Sequence, residues 1–446
     1  MQEKPMELTK TLAKFIVETD KSNIPSQILE HTKVAFMDWL SVTLAGKDDP
    51  LVGKLIKYSD LMGGYEQATV LGYGVKKTAV QTALINGAAS HALDFDDTLE
   101  SIIGHPSVTL FPSLLAFSEW KEKSGLDMLT AYVIGFKVAT AIGTCGIVNH
   151  YMSGWHSTCT LGHFASAAGC ARLMGLNEQQ TLYALGIAGT QASGLKRVFG
   201  TMCKPFHAGK SSMTGLMSAL LASEGFDCAE DILEGTNGFL QVLNGKLNDK
   251  MADTLGKTWD IENLAQKYHS SCHATHSPIE AVFAIVEKEG LNVQDIGSIK
   301  IFTSRLSIDA AGKTEPTTGL AGKFSIPYCV ANALLRGNTG MQAFTDEKVN
   351  DPQVQDYMKK ISLHLSDKMD LLEAKVDVET DSGKTYTKTI DVMKDIPDLE
   401  TKKTKIKTKF MDLCPPVLGE DKAEKLIKAI ESLEDIKNMQ TFIDII

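Results

Sequence analysis

Four short segments contain the side chains best suited to proton transfer or anion binding. They are HALDFDDT at residues 91–98 with the nearby His105, GWHST at 154–158, CKPFHAGK at 203–210 and KYHSSCHATH at 267–276. Imidazole titrates near neutral pH, which suits it to general acid–base catalysis. A single histidine more often has a structural role, so the prediction of an active site depends on the clustering.

The first and third segments carry charges that need partners. Asp94, Asp96 and Asp97 are three carboxylates within four positions, and their mutual repulsion predicts either a cationic partner or a catalytic task. The structural alternative is that Asp97 or Thr98 caps the next helix. Lys204 precedes a proline, which predicts an extended segment there, with a helix beginning after residue 209. A cation beside a helix N-terminus suits carboxylate binding.

Metal and cofactor sites have weaker support. Zinc ligands are present in the fourth segment as His269, Cys272, His273 and His276, but they crowd one short stretch without a second ligand pair. The dispersed cysteines do not favour an iron–sulfur cluster, and neither GxGxxG nor GxxxxGK[ST] occurs. A Schiff-base role for Lys204 stays open, although nothing else indicates a pyridoxal site. The sequence therefore predicts no metal and no cofactor.

Composition limits the class of protein and its partners. The chain has 446 residues, 43% of them hydrophobic, and a formal net charge of -10. This length predicts two domains, and the lack of a dense basic stripe argues against a nucleic-acid partner. The one basic run, between Lys402 and Lys409, is expected to be a solvated connector.

Cysteine usage and hydropathy bear on the compartment. The eight cysteines include no CxxC pair, a pattern typical of reduced thiols in a long chain. We find no export signal in the N-terminal residues and no apolar stretch near the ~20 residues that span a bilayer. We therefore expect a cytoplasmic protein with no membrane partner.

The secondary-structure elements that must position these side chains are helical in the first part of the chain and mixed in the second. Residues 1–265, completed by 405–446, are predicted to form a helical domain, and residues 266–404 a smaller α+β domain. Predicted helices include 25–45, a segment opened by a capping box at Asn177 and Gln180, 327–336 and 352–363. Residues 299–303 alternate in polarity, and the runs 374–379 and 384–390 around a glycine turn predict a hairpin.

The motifs, in this order, resemble the MmgE/PrpD family over nearly the whole chain. They run from Asp38-Trp39-Leu40 through HALDFDDT, GHP, GWHSTCTLG, CKPFHAGK, KYHSSCHATH and GKFSIPY (residues 322–328) to PPVLG at 415–419. That family includes 2-methylcitrate dehydratase, cis-aconitate decarboxylase and iminodisuccinate epimerase. The resemblance implies a mainly α fold with a large helical domain and a smaller α+β lid domain, a homodimer, and catalysis without metal or organic cofactor.

The resemblance also implies a set of substrate contacts. Similarity to the cis-aconitate decarboxylases implies that the following residues surround the substrate: Asp94, Thr98, His105, His156, Lys204, Lys267, His273 and Tyr328. The spacing from Lys267 to the next histidines differs by one from that subgroup, so His276 is an alternative to His273. Family members that dehydrate 2-methylcitrate tend to carry arginine in place of His273, which argues against that substrate.

The predicted chemistry is proton transfer at a carbon α to a carboxylate. Such a step needs a positioned acid or base and stabilisation of an enolate-like charge. We expect His156 and His105 to transfer the proton, Asp94 to orient one of them, Lys204 to neutralise substrate carboxylates and Thr98 to donate a hydrogen bond to substrate. The predicted function is a lyase of a di- or tricarboxylic acid. The alternatives are an epimerase and, more remotely, a non-catalytic carboxylate-binding protein.

Overall fold

The computed structural model describes residues 7–446, which form two compact units. The first contains the chain up to Gln266 together with Leu399–Ile446, and the second is Lys267–Asp398. The first is helical except for one small hairpin, and the second combines helices with a four-stranded sheet. The predicted fold class, mainly α with a smaller α+β domain, is confirmed.

Most of the first unit is built from α-helices that follow one another closely in sequence. The helices are α1 Leu8–Glu18, α2 Ser26–Ala45, α3 Pro50–Met62, α4 Ala79–Ala92, α5 Ser107–Trp120, α6 Gly125–Gly143, α7 Ile147–Met152, α8 Ser157–Met174, α9 Glu178–Gln191, α10 Cys203–Ser223 and α11 Phe239–Val242. The capping box predicted at Asn177 and Gln180 opens α9, so this local prediction is confirmed. Strands β1 (Ala68–Val70) and β2 (Val75–Lys77) form an antiparallel hairpin that the helical pattern did not predict.

Small residues allow the central helices of this unit to pack backbone to backbone. Helix α10 packs against α4 and α8. A Cβ atom added at Gly209 would lie 2.1 Å from the carbonyl oxygen of Leu84, and one at Gly87 would lie 2.7 Å from the Cα of Gly209. Because neither glycine has room for a side chain, the crossing fixes the position of the first turns of α10 relative to the end of α4.

The apolar helix α6 lies in the interior. It is 19 residues long, and its length and mean hydropathy of 1.3 meet the requirements of a membrane span, contrary to the expectation that no stretch approaches that length. Within that stretch, 89% of the residues are buried inside the protein. This burial is that of a core helix.

The C-terminal helices of the first unit correct the prediction for the basic run. They are α18 Leu399–Leu413, α19 Pro415–Leu418, α20 Glu420–Glu431 and α21 Met439–Ile443. The run lies within α18 rather than in a solvated connector: Lys402 is 0% exposed and Lys409 is 5% exposed. Residues seven apart share one face of a helix, so these two lysines point inward, while Thr404 between them is exposed.

The second unit is organised around a mixed sheet. Its strands are β3 Ile296–Thr303, β4 Ile361–Leu365, β5 Glu373–Thr380 and β6 Thr385–Asp391, in the order β4-β3-β5-β6. Only the β3–β4 pair is parallel. The predicted β5–β6 hairpin is confirmed, and β5 alternates between half-buried and buried residues because one face covers the core.

Helices complete the second unit. They are α12 His276–Glu289, α13 Arg305–Ala311, α14 Gly319–Gly322, α15 Ile326–Arg336, α16 Asp346–Val349 and α17 Pro352–Met358. Helix α12 packs against β5 and β6. The helix predicted over 352–363 is wrong in its second half, because α17 ends at Met358 and the next residues form β4. Pairing with β3 supplies ladder hydrogen bonds that the local sequence does not reveal.

Candidate active site

The loop that joins α4 to α5 presents most of the predicted site residues of the first unit. Two residues in it, Asp94 (φ 51°) and Ile103 (φ 44°), adopt the left-handed region, which is unusual for a residue other than glycine. Thr98 is half-buried, and its backbone exchanges two hydrogen bonds with Ala265. The backbone N–H of His105 donates to Thr158 Oγ1 at 3.2 Å. These contacts hold the loop in a conformation that costs energy, as is common at functional sites.

One buried carboxylate holds two imidazoles at the centre of this loop. Asp96 Oδ1 lies 2.9 Å from His91 Nδ1, and Asp96 Oδ2 lies 2.9 Å from His105 Nδ1. The same nitrogen of His105 lies 2.8 Å from the backbone oxygen of Asp97. All of these acceptors are oxygens, so both rings carry a proton on Nδ1, and Nε2 holds the lone pair of each neutral imidazole.

Differences in burial distinguish the charge states of His91 and Asp96 and the exposure of His105. Burial lowers the pKa of His91 to about 4 against the opposing effect of Asp96, so His91 is neutral at pH 7. Burial also favours protonation of Asp96, but the adjacent His91 and His105 outweigh it and hold the pKa of this carboxyl well below its ordinary value. The side chain of His105 is 13% exposed, whereas that of His91 is 0% exposed. His105 is therefore the more exposed of the two imidazoles on Asp96.

The side chain of Asp97 is bound to the first residue of the next α-helix rather than to a histidine ring. Its carboxylate accepts hydrogen bonds from the backbone N–H and the hydroxyl of Ser107, the first residue of α5. Asp97 therefore contacts the N-terminus of α5 without being its N-cap, a position that Pro106 occupies. Burial, aided by the nearby carboxylates Asp38 and Asp96, raises the pKa of Asp97 well above its ordinary value.

His156 lies just before α8 and pairs with a second histidine. Its Nδ1 lies 3.0 Å from His207 Nδ1, so one ring donates and the other accepts. Burial lowers the pKa of His156 far below its ordinary value, and the neighbouring basic side chains, among them the Lys204 ammonium, lower it further. Burial also lowers the pKa of His207. The ring centroids of His156 and His91 lie 6.3 Å apart, which places His156 and His207 beside the loop between α4 and α5.

Lys204 reaches the same loop from α10. Its Nζ lies 2.6 Å from Asp94 Oδ1, and the lysine and aspartate side chains are 19% and 52% exposed. The prediction of an extended segment followed by a helix after residue 209 is wrong, because α10 begins at Cys203 and Lys204 lies in its first turn. Pro205 is tolerated there because the first turn of a helix has no partner for its N–H groups.

The structure changes the roles expected in the first unit. Asp94 and Lys204 form an ion pair beside His105 and His156, whereas the carboxylate in direct contact with His105 is that of Asp96. His91, Asp96 and His207 were absent from the predicted site, although all three stand in the motifs that suggested it. The five-residue spacing from His91 to Asp96 across a helix end was the available signal.

The predicted residues of the second unit differ in accessibility. His276 is 1% exposed, lies between the rings of His269 and His273, and donates from Nε2 to the backbone oxygen of Ser271 at 3.3 Å. His273 is half-buried. Burial lowers the pKa of His276 well below its ordinary value. Of the two alternatives, His273 is therefore the more exposed residue, although its Nε2 is also buried.

Tyr328 and Lys267 are buried. Tyr328 is 0% exposed, and its hydroxyl donates to the backbone oxygen of Ala343, so this burial argues against the substrate contact that the resemblance implies. Lys267 is 2% exposed. Lys323 was not predicted, yet its Nζ lies 3.3 Å from the hydroxyl of Ser270 and burial lowers its pKa. The GKFSIPY motif and the histidine-rich motif thus meet inside this unit.

One group of side chains has distances compatible with a cation. Ligand atoms of His91, Asp94, Asp96 and His105 lie within 4.8 Å of one another, outside the histidine-rich segment that the sequence had singled out. Both imidazole Nδ1 atoms already donate to Asp96, and the Lys204 ammonium contacts Asp94. Hydrogen bonds and one ion pair therefore account for this cluster, and the adjacent ammonium would repel a cation.

Comparison with known proteins identifies the class to which this fold and site belong. Residues 10–251 match the family model of the MmgE/PrpD N-terminal domain, and residues 269–435 match that of the MmgE/PrpD C-terminal domain. The chain belongs to the MmgE/PrpD family.

Relatives within the family carry two kinds of name. The chain is 26% identical to the cis-aconitate decarboxylase of Aspergillus terreus, over 95% of this chain and 92% of the relative. It is 25% identical to that of Mus musculus, over 97% and 91% of the two chains. It is 27% identical to the mitochondrial 2-methylcitrate dehydratase of Yarrowia lipolytica, over 75% and 68%. The prediction of a lyase is confirmed by these relatives.

Proposed function

We propose that this protein is a cofactor-independent lyase that releases CO₂ from cis-aconitate or a closely related unsaturated tricarboxylate. The observation that carries the proposal is the arrangement of His105 on the buried carboxylate of Asp96, beside His156 and the Lys204 ammonium. This arrangement supplies a proton donor from the loop between α4 and α5 and a cation from the first turn of α10, with His156 just before α8. Support for the substrate comes from five relatives named cis-aconitate decarboxylase or decarboxylase-like, which match over 93–97% of this chain.

The proposed reaction breaks the bond between a CH₂ group and its carboxylate. The electron pair of that bond forms a new CH₂=C double bond, and the electrons of the original double bond move onto the CH carbon. That carbon lies α to another carboxylate and takes up one proton. Each turnover therefore releases one CO₂ and consumes one proton, and the carbanion-like charge must be stabilised as it develops.

The residues divide this work by their exposure and charge. His105 Nε2 delivers the proton, because its Nδ1–H donates to Asp96 and leaves Nε2 as the ring nitrogen that faces away from this carboxylate. His156 is neutral and buried, and it serves as the second proton-transfer group through its bond to His207. Lys204 leaves Asp94 to neutralise a substrate carboxylate, a charge-assisted contact. Thr98 and His273 remain proposed substrate contacts.

The test is turnover of cis-aconitate by the purified protein, followed by proton NMR and CO₂ release. We expect two new CH₂=C signals, one CO₂ per product, and in D₂O one deuterium at the carbon that was the vinylic CH. Dialysis against EDTA should leave the rate unchanged. Loss of activity on chelation and its return with zinc would contradict the cofactor-independent mechanism. Absence of CO₂ with every unsaturated tricarboxylate would contradict the decarboxylase.

Dehydration is the second candidate. It is favoured by two relatives named 2-methylcitrate dehydratase or probable 2-methylcitrate dehydratase, which match over 75% and 80% of this chain. The same acid and cation would then protonate a leaving hydroxyl. Loss of water from 2-methylcitrate without CO₂ would support this reaction, and deuterium exchange without net conversion would instead support the epimerase alternative.

We also propose that the protein is a cytoplasmic homodimer, as the family resemblance and the sequence predict. Light scattering of the purified protein tests the dimer, and fractionation of the source cells tests the compartment.

A further inference from the structure

The Asp96 carboxylate contacts two imidazoles, although one would be enough to orient a single catalytic acid. His91 Nδ1 lies 2.9 and 3.0 Å from its two oxygens, and His105 Nδ1 lies 2.9 Å from Oδ2. The side chains of Asp96 and His91 are 1% and 0% exposed. Two N–H donors thus fix the plane of the carboxylate, and the carboxylate fixes the tautomer of both rings.

The two rings cannot both carry a charge at this separation. Their centroids lie 4.6 Å apart, and like charges this close disfavour double protonation. His91 Nε2 is buried and, among residues 7–446, has no hydrogen-bond partner, so a proton there would be neither solvated nor paired. Of the two rings, the more exposed His105 is therefore the one whose Nε2 can exchange a proton with solvent or substrate.

The charged and titratable neighbours of His105 agree with this assignment. Groups that face it or its partners are the following: Asp94, Asp96, Asp97, His91, His156 and Lys204. Asp96 supplies the negative charge in direct contact with the ring, since Asp97 offers its backbone oxygen and Asp94 is paired with Lys204. His156 and Lys204 oppose additional positive charge.

We propose that His91 and Asp96 are positioning residues for His105: His91 is a permanently neutral donor that orients Asp96, and Asp96 in turn holds His105 as the one chargeable imidazole. This inference rests on the proposed function for its effect on rate. Its geometric content, the two Nδ1–H tautomers and the neutral His91, is independent of any substrate.

The first test is ¹⁵N NMR of the protein labelled at histidine, with no substrate present. We expect His91 and His105 both to show Nδ1–H tautomers, with His91 neutral at pH 5 while His105 titrates. An Nε2–H tautomer at either ring, or a charged His91 at pH 6, would overturn the proposal. Because no turnover is measured, this result stands apart from success or failure of the decarboxylase.

The second test uses variants and matched controls. Asp96→Asn removes the charge that favours His105 protonation, so the proton affinity of His105 should fall at least tenfold and kcat ~100-fold, with KM changed by less than about threefold. His91→Leu removes the donor to Asp96 and should lower kcat ~10-fold. His91→Asn keeps an N–H at the position of Nδ1 and should restore most of that loss.

His163 provides the control for burial alone. It is 0% exposed, its Nδ1 donates to the backbone oxygen of Cys159 at 2.6 Å, and its Nε2 has no partner among residues 7–446. His163→Leu and His163→Asn should lower the melting temperature and leave the pH profile of kcat/KM unchanged. The proposal is overturned if Asp96→Asn leaves the His105 titration as in the wild type, or if His91→Asn is no more active than His91→Leu.

Discussion

At the scale of the residue, Lys204 and Asp94 form an ion pair that substrate can replace. The aspartate side chain is 52% exposed, and exposed ion pairs contribute only ~0–1 kcal/mol. Asp94 therefore neutralises the lysine without trapping it. A carboxylate of the substrate that approaches the start of α10 meets an ammonium that lies at the surface of the loop rather than in the core.

Lys204→Met should therefore weaken substrate binding. One charged hydrogen bond contributes ~1.5–3 kcal/mol, so KM should rise roughly 10- to 100-fold while the melting temperature changes little. Steady-state kinetics measure this effect. Lys210 is the control, because it lies in the same helix and its Nζ donates to Thr214 Oγ1 at 2.9 Å. A larger KM effect from Lys210→Met than from Lys204→Met would move the anion site along α10.

The two proposed proton-transfer histidines should affect rate far more than an exposed histidine. General acids and bases contribute ~10² to 10⁴-fold, so His105→Ala and His156→Ala should each lose rate of that order while remaining folded. His364 lies on β4, where Nε2 contacts the hydroxyl of Ser362 at 2.9 Å, and His364→Ala should be nearly silent. Similar small losses in all three variants, measured as kcat, would rule out the assignment.

His150 shows why a histidine cannot be chosen from the sequence alone as a control for the catalytic variants. It resembles any other histidine outside the motifs, yet it is 4% exposed, and its ring nitrogens contact the Leu243 backbone oxygen and Thr160 Oγ1. Its replacement would destabilise the fold. Likewise, the sequence presents Asp94 and Asp96 as equivalent carboxylates. Only the left-handed turn at Asp94 shows that the second faces the histidines and the first faces Lys204.

At the scale of the element, local patterns predicted the interior of helices and strands better than their ends. Alternation in β5 and the capping box of α9 are local signals, and both are confirmed. The start of α10 was misplaced because Pro205 was interpreted as a break, although a first helical turn accepts proline. Strand β4 was missed because its parallel partner β3 lies some sixty residues earlier in the chain.

The crossing of α4 and α10 is the element on which the site geometry depends. Gly209→Ala would place a methyl group 2.1 Å from the Leu84 oxygen, so the helices must separate. Overpacking of this kind typically costs ~1–3 kcal/mol. We expect a lower free energy of unfolding, measured by denaturant titration, and a lower kcat because Lys204 moves with α10.

Gly53 in α3 is the matched control for that substitution. A Cβ atom there meets nothing within 4 Å, so Gly53→Ala should stabilise the protein by ~0.4–1 kcal/mol through helix propensity and reduced unfolded-state entropy. If Gly209→Ala were as stable and as active as Gly53→Ala, the crossing would not set the position of Lys204.

At the scale of the whole first unit, a buried ionic contact connects distant parts of the sequence to the site loop. Lys409 of α18 lies 2.6 Å from Asp38 of α2, with side chains 3% and 0% exposed, and it also donates to the backbone oxygen of Phe95. Phe95 stands between Asp94 and Asp96. Helix α18 therefore stabilises the conformation of the loop between α4 and α5, a role that no pattern within residues 399–413 reveals.

Buried histidines should also make the folded protein sensitive to mild acid. Burial lowers the pKa of His163 to about 4 and that of His91 to about 4, from 6.5. Between these values the unfolded chain binds protons that the folded chain does not, so the free energy of unfolding falls as pH falls through that window. Each histidine contributes on the order of 3 kcal/mol over the full window.

The carboxyl groups of Asp97 and Asp96 also change how the free energy of unfolding depends on pH, and their effects have opposite signs. The raised pKa of Asp97 adds stability at low pH and loses it as pH rises through that value, whereas the lowered pKa of Asp96 costs stability only below 3.8. Between 3.8 and its raised pKa, Asp97 opposes the effect of one histidine, so the direction of the dependence is set by the several buried histidines together. Urea titrations at pH 7, 6 and 5 should show a progressive loss of stability. In His163→Asn, whose new side chain does not titrate, the loss should be smaller by the contribution of this one imidazole, since the other buried histidines still titrate. A wild-type free energy of unfolding that is constant over this range, or a His163→Asn slope equal to that of the wild type, would show that these imidazoles are protonated in the folded protein.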